Sequence, residues 1–157
     1  MEIQEIKVNA YGKLKDKNVS FNKGLNIVYG KNESGKSTLL HFIVNSLYGI
    51  SKNKKGKEYS DFEQYEPWQG EEFSGKLSYS LDNGKKYEVY RDFRKRNPKI
   101  FNEDMEDISK EFTIDKAKGN NFFYDQTKVD EDLFLSTVLV NQQEVKLQKG
   151  EQNILIQ

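Results

Sequence analysis

Gly30-Lys31-Asn32-Glu33-Ser34-Gly35-Lys36-Ser37-Thr38 fits the pattern G-x-x-x-x-G-K-[ST], a phosphate-binding loop. The residue types follow from the chemistry. Gly30 and Gly35 let the backbone bend so that successive N–H groups face one anion. Lys36 reaches the β- and γ-phosphates, and the Ser37 hydroxyl is placed to ligate Mg²⁺. A helix opening from the loop adds the positive end of its dipole to the anion site. The stretch points to a nucleotide phosphate bound with Mg²⁺.

The motif needs a strand before it and a helix after it. Leu25-Asn26-Ile27-Val28-Tyr29 is a short β-favouring run ending at Gly30, read as the strand. Residues 37–48 have helical spacing, with Leu40, Ile43, Val44 and Leu47 at i, i+3, i+4 and i+7. Gly49 stands where a C-cap glycine belongs. A glycine-rich turn with an incidental lysine would need none of this context.

At 157 residues the chain suits one domain or one lobe of a larger one. Hydrophobic residues make up 35% and charged residues 32%, so the chain is apolar-poor and charge-rich. Aromatics at 13% argue against disorder, which depletes them. A folded core of modest size with much polar surface follows. Formal net charge is zero, so no global field attracts nucleic acid, although a local basic groove stays open. The absence of cysteine removes disulfides and thiolate metal sites. No apolar run approaches membrane-spanning length. Met1-Glu2-Ile3-Gln4 lacks the basic and apolar regions of a secretory signal, which sets the expectation of a cytoplasmic protein.

Along the chain, Ile6, Val8 and Ala10 alternate with Lys7 and Asn9 and predict a first strand. Tyr11-Gly12-Lys13 marks a turn, and residues 18–21 a second short strand. Lys52, Lys54, Lys55 and Lys57 read as a solvated loop, with a phosphate-backbone contact as the other reading. Residues 58–72 carry Tyr59, Phe62, Tyr65, Pro67 and Trp68 without a clear period. They read as an irregular segment whose aromatics pack on the body, with a partner surface as the alternative. Phe73, Leu77, Tyr79 and Leu81 share one parity, and Tyr87, Val89 and Phe93 another. Asp82-Asn83-Gly84 between them predicts a hairpin. Further strands are expected at 99–101 and 112–114, a short helix at 130–135 and a buried strand at 137–140. The fold class expected is α/β, with a parallel nucleotide-binding core and an additional antiparallel sheet.

A hydrolytic site also needs an acidic residue at the end of an apolar strand and a group that orients water. Val138-Leu139-Val140 ends in Asn141, and the strand ending in Asp92 belongs to the hairpin. The chain reads as half of an active site.

Here a family resemblance enters. The run 24–40, Gly24-Leu25-Asn26-Ile27-Val28-Tyr29 followed by the phosphate loop and Leu39-Leu40, resembles the N-terminal lobe of ABC-type ATPase heads of the SMC, SbcC and RecF group. It is closest to the bacterial YhaN-like members. The chain departs from the commoner pattern at Glu33, where much of the group has glycine. Tyr11-Gly12-Lys13 resembles the loop after the group's first strand, and residues 87–95 its second-sheet hairpin. Residues 134–144 look like the approach to the Q-loop, with the glutamine at Gln142 and Gln143 as the fallback.

The resemblance implies ATP and Mg²⁺ as cofactors. It implies Lys13, Gly30, Asn32, Glu33, Ser34, Gly35, Lys36, Ser37 and Thr38 around the nucleotide. Ser37 and Gln142 would serve the metal, and Gln142 the catalytic water. Lys13 has the alternative of an exposed lysine, Asn32 of a simple turn residue and Gln142 of a strand-end amide. His41, inside the helix, reads as structural. Arg91, Arg94, Lys95, Arg96 and Lys99 read as a solvated strand edge, or else as a nucleic-acid contact. The implied organisation is an N-terminal lobe over 1–148 and, from 149 to 157, the start of an extension in the place of the group's coiled coil. The implied partners are a C-terminal lobe of the same protein and a second head in a nucleotide-dependent homodimer, with DNA and a nuclease as further candidates and no membrane. The implied work is ATP hydrolysis in DNA repair or chromosome maintenance. Two rival functions remain: a non-catalytic nucleotide-gated binding module, and a self-contained P-loop kinase or nucleotidase.

Overall fold

The computed structural model describes residues 1–31 and 35–137. Its frame is a five-stranded sheet in the order β2-β1-β3-β4-β5. The strands are β1 (Glu2–Tyr11), β2 (Leu14–Ser20), β3 (Ser74–Ser80), β4 (Lys86–Asp92) and β5 (Lys99–Phe101). Every pairing in it is antiparallel. In β1 the predicted alternation holds: Ile6, Val8 and Ala10 are buried while Lys7 and Asn9 are exposed. On β3 and β4, Leu77, Tyr79 and Val89 fill the same covered face.

Helix α1 (Lys36–Tyr48) covers that face. It comes close because β3 carries Gly75, where a Cβ would stand 2.5 Å from Phe42 Cζ. The helix buries Leu39, Phe42, Ile43, Val44 and Leu47, whereas Leu40 is exposed. Ile43, Val44 and Leu47 of the expected stripe are therefore buried as read, and Phe42, packed on Gly75, is buried where Leu40 is not. Gly49 ends the helix at φ 92, its N–H bonded to the Asn45 carbonyl.

Rings from distant segments meet between helix and sheet. Tyr11 stacks on Tyr65 with centroids 4.8 Å apart and meets the edge of Phe42 at 5.4 Å. Phe73 and Phe93 lie 4.9 Å apart beside them. The phenol of Tyr11 accepts a hydrogen bond from Asn45 Nδ2 at 2.6 Å in this buried setting. Residues 58–72 are partly regular: α2 (Asp61–Tyr65) starts on a capping box between Ser60 and Glu63. Tyr65 and Phe62 pack on the body as expected, but Tyr59 and Trp68 stay exposed.

A small ribbon of β6 (Ile114–Asp115) and β7 (Gly119–Asn120) follows, then α3 (Phe122–Thr127) and α4 (Glu131–Thr137). The strand expected at 112–114 begins only at Ile114, because a 3₁₀ turn at Ser109–Glu111 precedes it. Thr137, read as the first residue of a strand, closes α4 instead. Residues 138–140, Gln142, Gln143 and the division at 148 lie outside the described residues.

The largest departure concerns residues 25–29. They form no strand, and Leu25, Ile27 and Tyr29 are 91%, 81% and 95% exposed. The expected parallel core is absent among the described residues. The reason is local and tertiary. Asn26 turns its side chain onto the backbone, accepting from Asn22 N and donating to the Asn22 carbonyl, which competes with strand pairing. No neighbouring strand among the described residues offers this segment a ladder. No described helix is long and apolar enough to cross a membrane.

Candidate phosphate-binding site

Gly35 sits at the mouth of α1 with φ 93 and ψ 18, the left-handed conformation that glycine takes without steric cost. Its carbonyl accepts from Leu39 N at 2.9 Å, which opens the helix. No side chain caps this end and no acidic residue lies in the first turn. The first-turn N–H groups and the positive dipole end therefore meet no carboxylate from the first turn itself. Lys36 Nζ donates to the Gly30 carbonyl at 2.6 Å, drawing the two ends of the loop together. Ser37 is exposed at the helix start, while Thr38 is buried behind it.

The β1–β2 turn braces this loop. A Cβ on Gly35 would stand 2.8 Å from Leu14 Cδ2 and 3.5 Å from Lys13 Cγ. Lys13 is exposed, with its Cγ beside Gly35. Gly12, at φ 56, faces Thr38 Cγ2 and the Tyr65 ring, and its N–H bonds the Tyr65 carbonyl at 2.7 Å. The structure so brings Lys13, Gly30, Gly35, Lys36, Ser37 and Thr38 to one place. Asn32, Glu33, Ser34 and Gln142 fall outside the described residues.

The sequence reading missed Leu14 and Tyr65 as supports of the loop. For Tyr65 a signal existed: Ser60-x-x-Glu63 is a capping box announcing α2. For Leu14 there was none beyond its place after the turn. His41 packs its ring 5.3 Å from Tyr65, and the desolvation this brings lowers its pKa.

Among the described residues no group of three or more His, Cys, Asp or Glu could hold a metal. The exposed Ser37 hydroxyl at the start of α1 is an oxygen donor of the kind that suits Mg²⁺. A second basic feature differs from expectation. Arg94, Lys95, Arg96 and Lys99 are exposed as read, but Arg91 is only 2% exposed. Its Nε donates to the Ser46 carbonyl at 3.0 Å, under the C-terminal turn of α1.

A glycine-bent loop, a lysine turned over it and a helix opening from it define a P-loop nucleotide-binding domain of mixed α/β build. The chain belongs to the AAA domain family, whose model matches residues 5–156. It is similar to the DNA double-strand break repair Rad50 ATPase of Pyrococcus abyssi, at 33% identity over 59% of this chain. It is also similar to the uncharacterized protein YhaN of Bacillus subtilis, at 32% identity over 49% of this chain. The matched stretches cover 10% and 7% of those relatives' lengths. The likeness to the N-terminal region of SMC/Rad50-like ATPases, YhaN included, is thereby established.

Proposed function

We propose that this chain is the ATP-binding N-terminal lobe of an ATPase head that hydrolyses ATP only with a C-terminal lobe and a second head. The observation that carries the reading is the loop itself: Gly35 in the left-handed conformation at the start of α1, with Lys36 closed onto Gly30. The backbone N–H groups would hold the phosphates and Lys36 would exchange the Gly30 carbonyl for β- and γ-phosphate oxygens. Ser37 would ligate Mg²⁺, Lys13 would reach the nucleotide from the β1–β2 turn, and Asn32, Glu33, Ser34 and Thr38 would line the loop. Gln142 would bring a neutral amide to the metal and the attacking water.

The unpartnered segment 25–29 supports the need for a second lobe. From this segment Val28 borders a cavity of about 490 Å³ that Leu39, Leu40, Ile43 and Phe134 also line. Strands of a C-terminal lobe would pair with this segment and complete the parallel core. DNA repair or chromosome maintenance is the work proposed, by likeness to the Rad50 relative. A self-contained kinase is less favoured: Asp92, the acidic end of β4, accepts from Arg94 N at 3.0 Å in the turn after the strand.

Turnover decides between these. The isolated chain should show negligible ATP hydrolysis, and the full protein Lys36-dependent hydrolysis. Robust Lys36-dependent turnover by the isolated chain would overturn the divided site.

A further inference from the structure

Arg91 poses a problem that its bond to Ser46 only half solves. Capping a helix C-terminus accounts for Nε, and it compensates the absence of any basic residue in the last turn of α1. Yet Arg91 Nη2 is buried and finds no hydrogen-bond partner among the described residues. No carboxylate among the described residues pairs with this guanidinium. Burial pushes its pKa down to about 9, so it remains charged at neutral pH. A buried, charged and unsatisfied donor is costly and calls for an explanation.

Arg91 lines a cavity of about 700 Å³. That is the size of a small-molecule site, roughly 300–1,000 Å³. Gly49 borders the guanidinium without a side chain; a Cβ there would stand 3.7 Å from Nη1. The rim comes from three separate segments: Lys52 and Lys55, then Arg96, then Lys116. None of these four has a carboxylate partner among the described residues. Arg96 donates to the carbonyls of Asp115 and Lys116, which holds the Lys116 loop at the rim, and its charge acts on the Asp115 carboxylate without a close ion pair. The single acidic group in the lining among the described residues, Glu131, is engaged by Lys118 at 3.8 Å.

We propose that this cavity is a second phosphate-recognising site, at the opposite end of the thirteen-residue α1 from the phosphate loop, and that it takes a compact polyanionic phosphate group. Guanidinium and ammonium groups from separate segments converging on one concavity suit several closely spaced phosphate charges. The same chemistry is offered by a free polyphosphate and by the phosphorylated end of a nucleic-acid strand.

The test uses the full protein carrying Lys36→Ala, so that the phosphate loop does not contribute. Inorganic pyrophosphate is titrated into it calorimetrically at low salt. Binding should be measurable, and should weaken at least tenfold when Lys52→Gln, Lys55→Gln and Lys116→Gln are added. These side chains are exposed, so an unchanged thermal melt verifies the fold. Short single-stranded oligonucleotides with and without a 5′-phosphate form the second arm. A tenfold preference for the phosphorylated end, lost in the triple variant, identifies the strand end as the source. Pyrophosphate binding without that preference identifies a free polyphosphate. No pyrophosphate binding at millimolar concentration, or binding that survives the triple substitution, overturns the proposal.

Discussion

Leu14 stands so close to Gly35 that a Cβ on the glycine would lie 2.8 Å from Leu14 Cδ2. The first hairpin thus fixes the entrance of the phosphate loop, and Gly35 is required twice, for its positive φ and for this contact. Gly35→Ala should cost about 1–2 kcal/mol from the left-handed conformation alone, with the clash added. A thermal melt should show the loss, and ATP affinity should fall at least tenfold. A variant as stable and as tightly binding as the parent would mean that Leu14 yields freely.

Tyr11 and Asn45 should behave as a coupled buried pair. Tyr11→Phe removes the acceptor of Asn45 Nδ2 and leaves a buried donor unsatisfied, costing about 1–3 kcal/mol. Denaturant unfolding of the single and double variants measures it. Tyr11→Phe with Asn45→Leu should recover part of the loss, whereas strict additivity would deny the coupling.

The same tyrosines set an alkaline limit. Burial raises the Tyr11 phenol well above its ordinary value, with the Asn45 bond opposing, and raises Tyr65 to about 12. Their folded pKa values exceed the unfolded value near 10, so above that pH the folded state binds more protons than the unfolded state. Stability should therefore fall as pH rises from about 10 towards 12. Unfolding free energies at pH 9 and pH 11 check this, and Tyr11→Phe should show a shallower decline. Equal stability at both values would contradict the assigned burial.

Much of this molecule was legible in its sequence where the signals are local. The alternation of Ile6, Val8 and Ala10, the Asp82-Asn83-Gly84 turn and the Gly49 cap all match the structure. The phosphate loop could be read because its residue types follow from phosphate chemistry. The expectation of a strand at 25–29 failed because its β-favouring residues find no ladder partner among the described residues. Leu40 misled because the helix's facing depends on Gly75, a contact across 33 positions that no local spacing encodes. Arg91 lay in a run of cations that looks solvated in one dimension, and only the packing of α1 over β4 buries it.

The exposed segment gives its own test. Leu25→Ser, Ile27→Ser and Tyr29→Ser together should leave the melting of the isolated chain nearly unchanged, since surface substitutions usually shift stability by less than about 0.5 kcal/mol. In the full protein they should abolish ATP turnover by preventing lobe assembly. Strong destabilisation of the isolated chain would show that the segment is packed within it.

Gln142 carries a proposal of a different kind. Gln142→Ala in the full protein should spare ground-state nucleotide binding and reduce turnover. Unchanged turnover in it, with a loss in Gln143→Ala, would shift the register by one. Unchanged turnover in both would confine the functional likeness to the phosphate loop and its flanks.

Calorimetric titration of Mg-ATP into this chain and into its Lys36→Ala variant addresses the loop itself. Lys36 reaches the Gly30 carbonyl at 2.6 Å in the structure and would transfer its donors to phosphate oxygens on binding. Wild type should bind, weakly without the opposing lobe. Lys36→Ala should lose about 1.5–3 kcal/mol, roughly ten- to a hundredfold in affinity. Equal affinity in the two proteins would contradict the assignment of this loop as the nucleotide site.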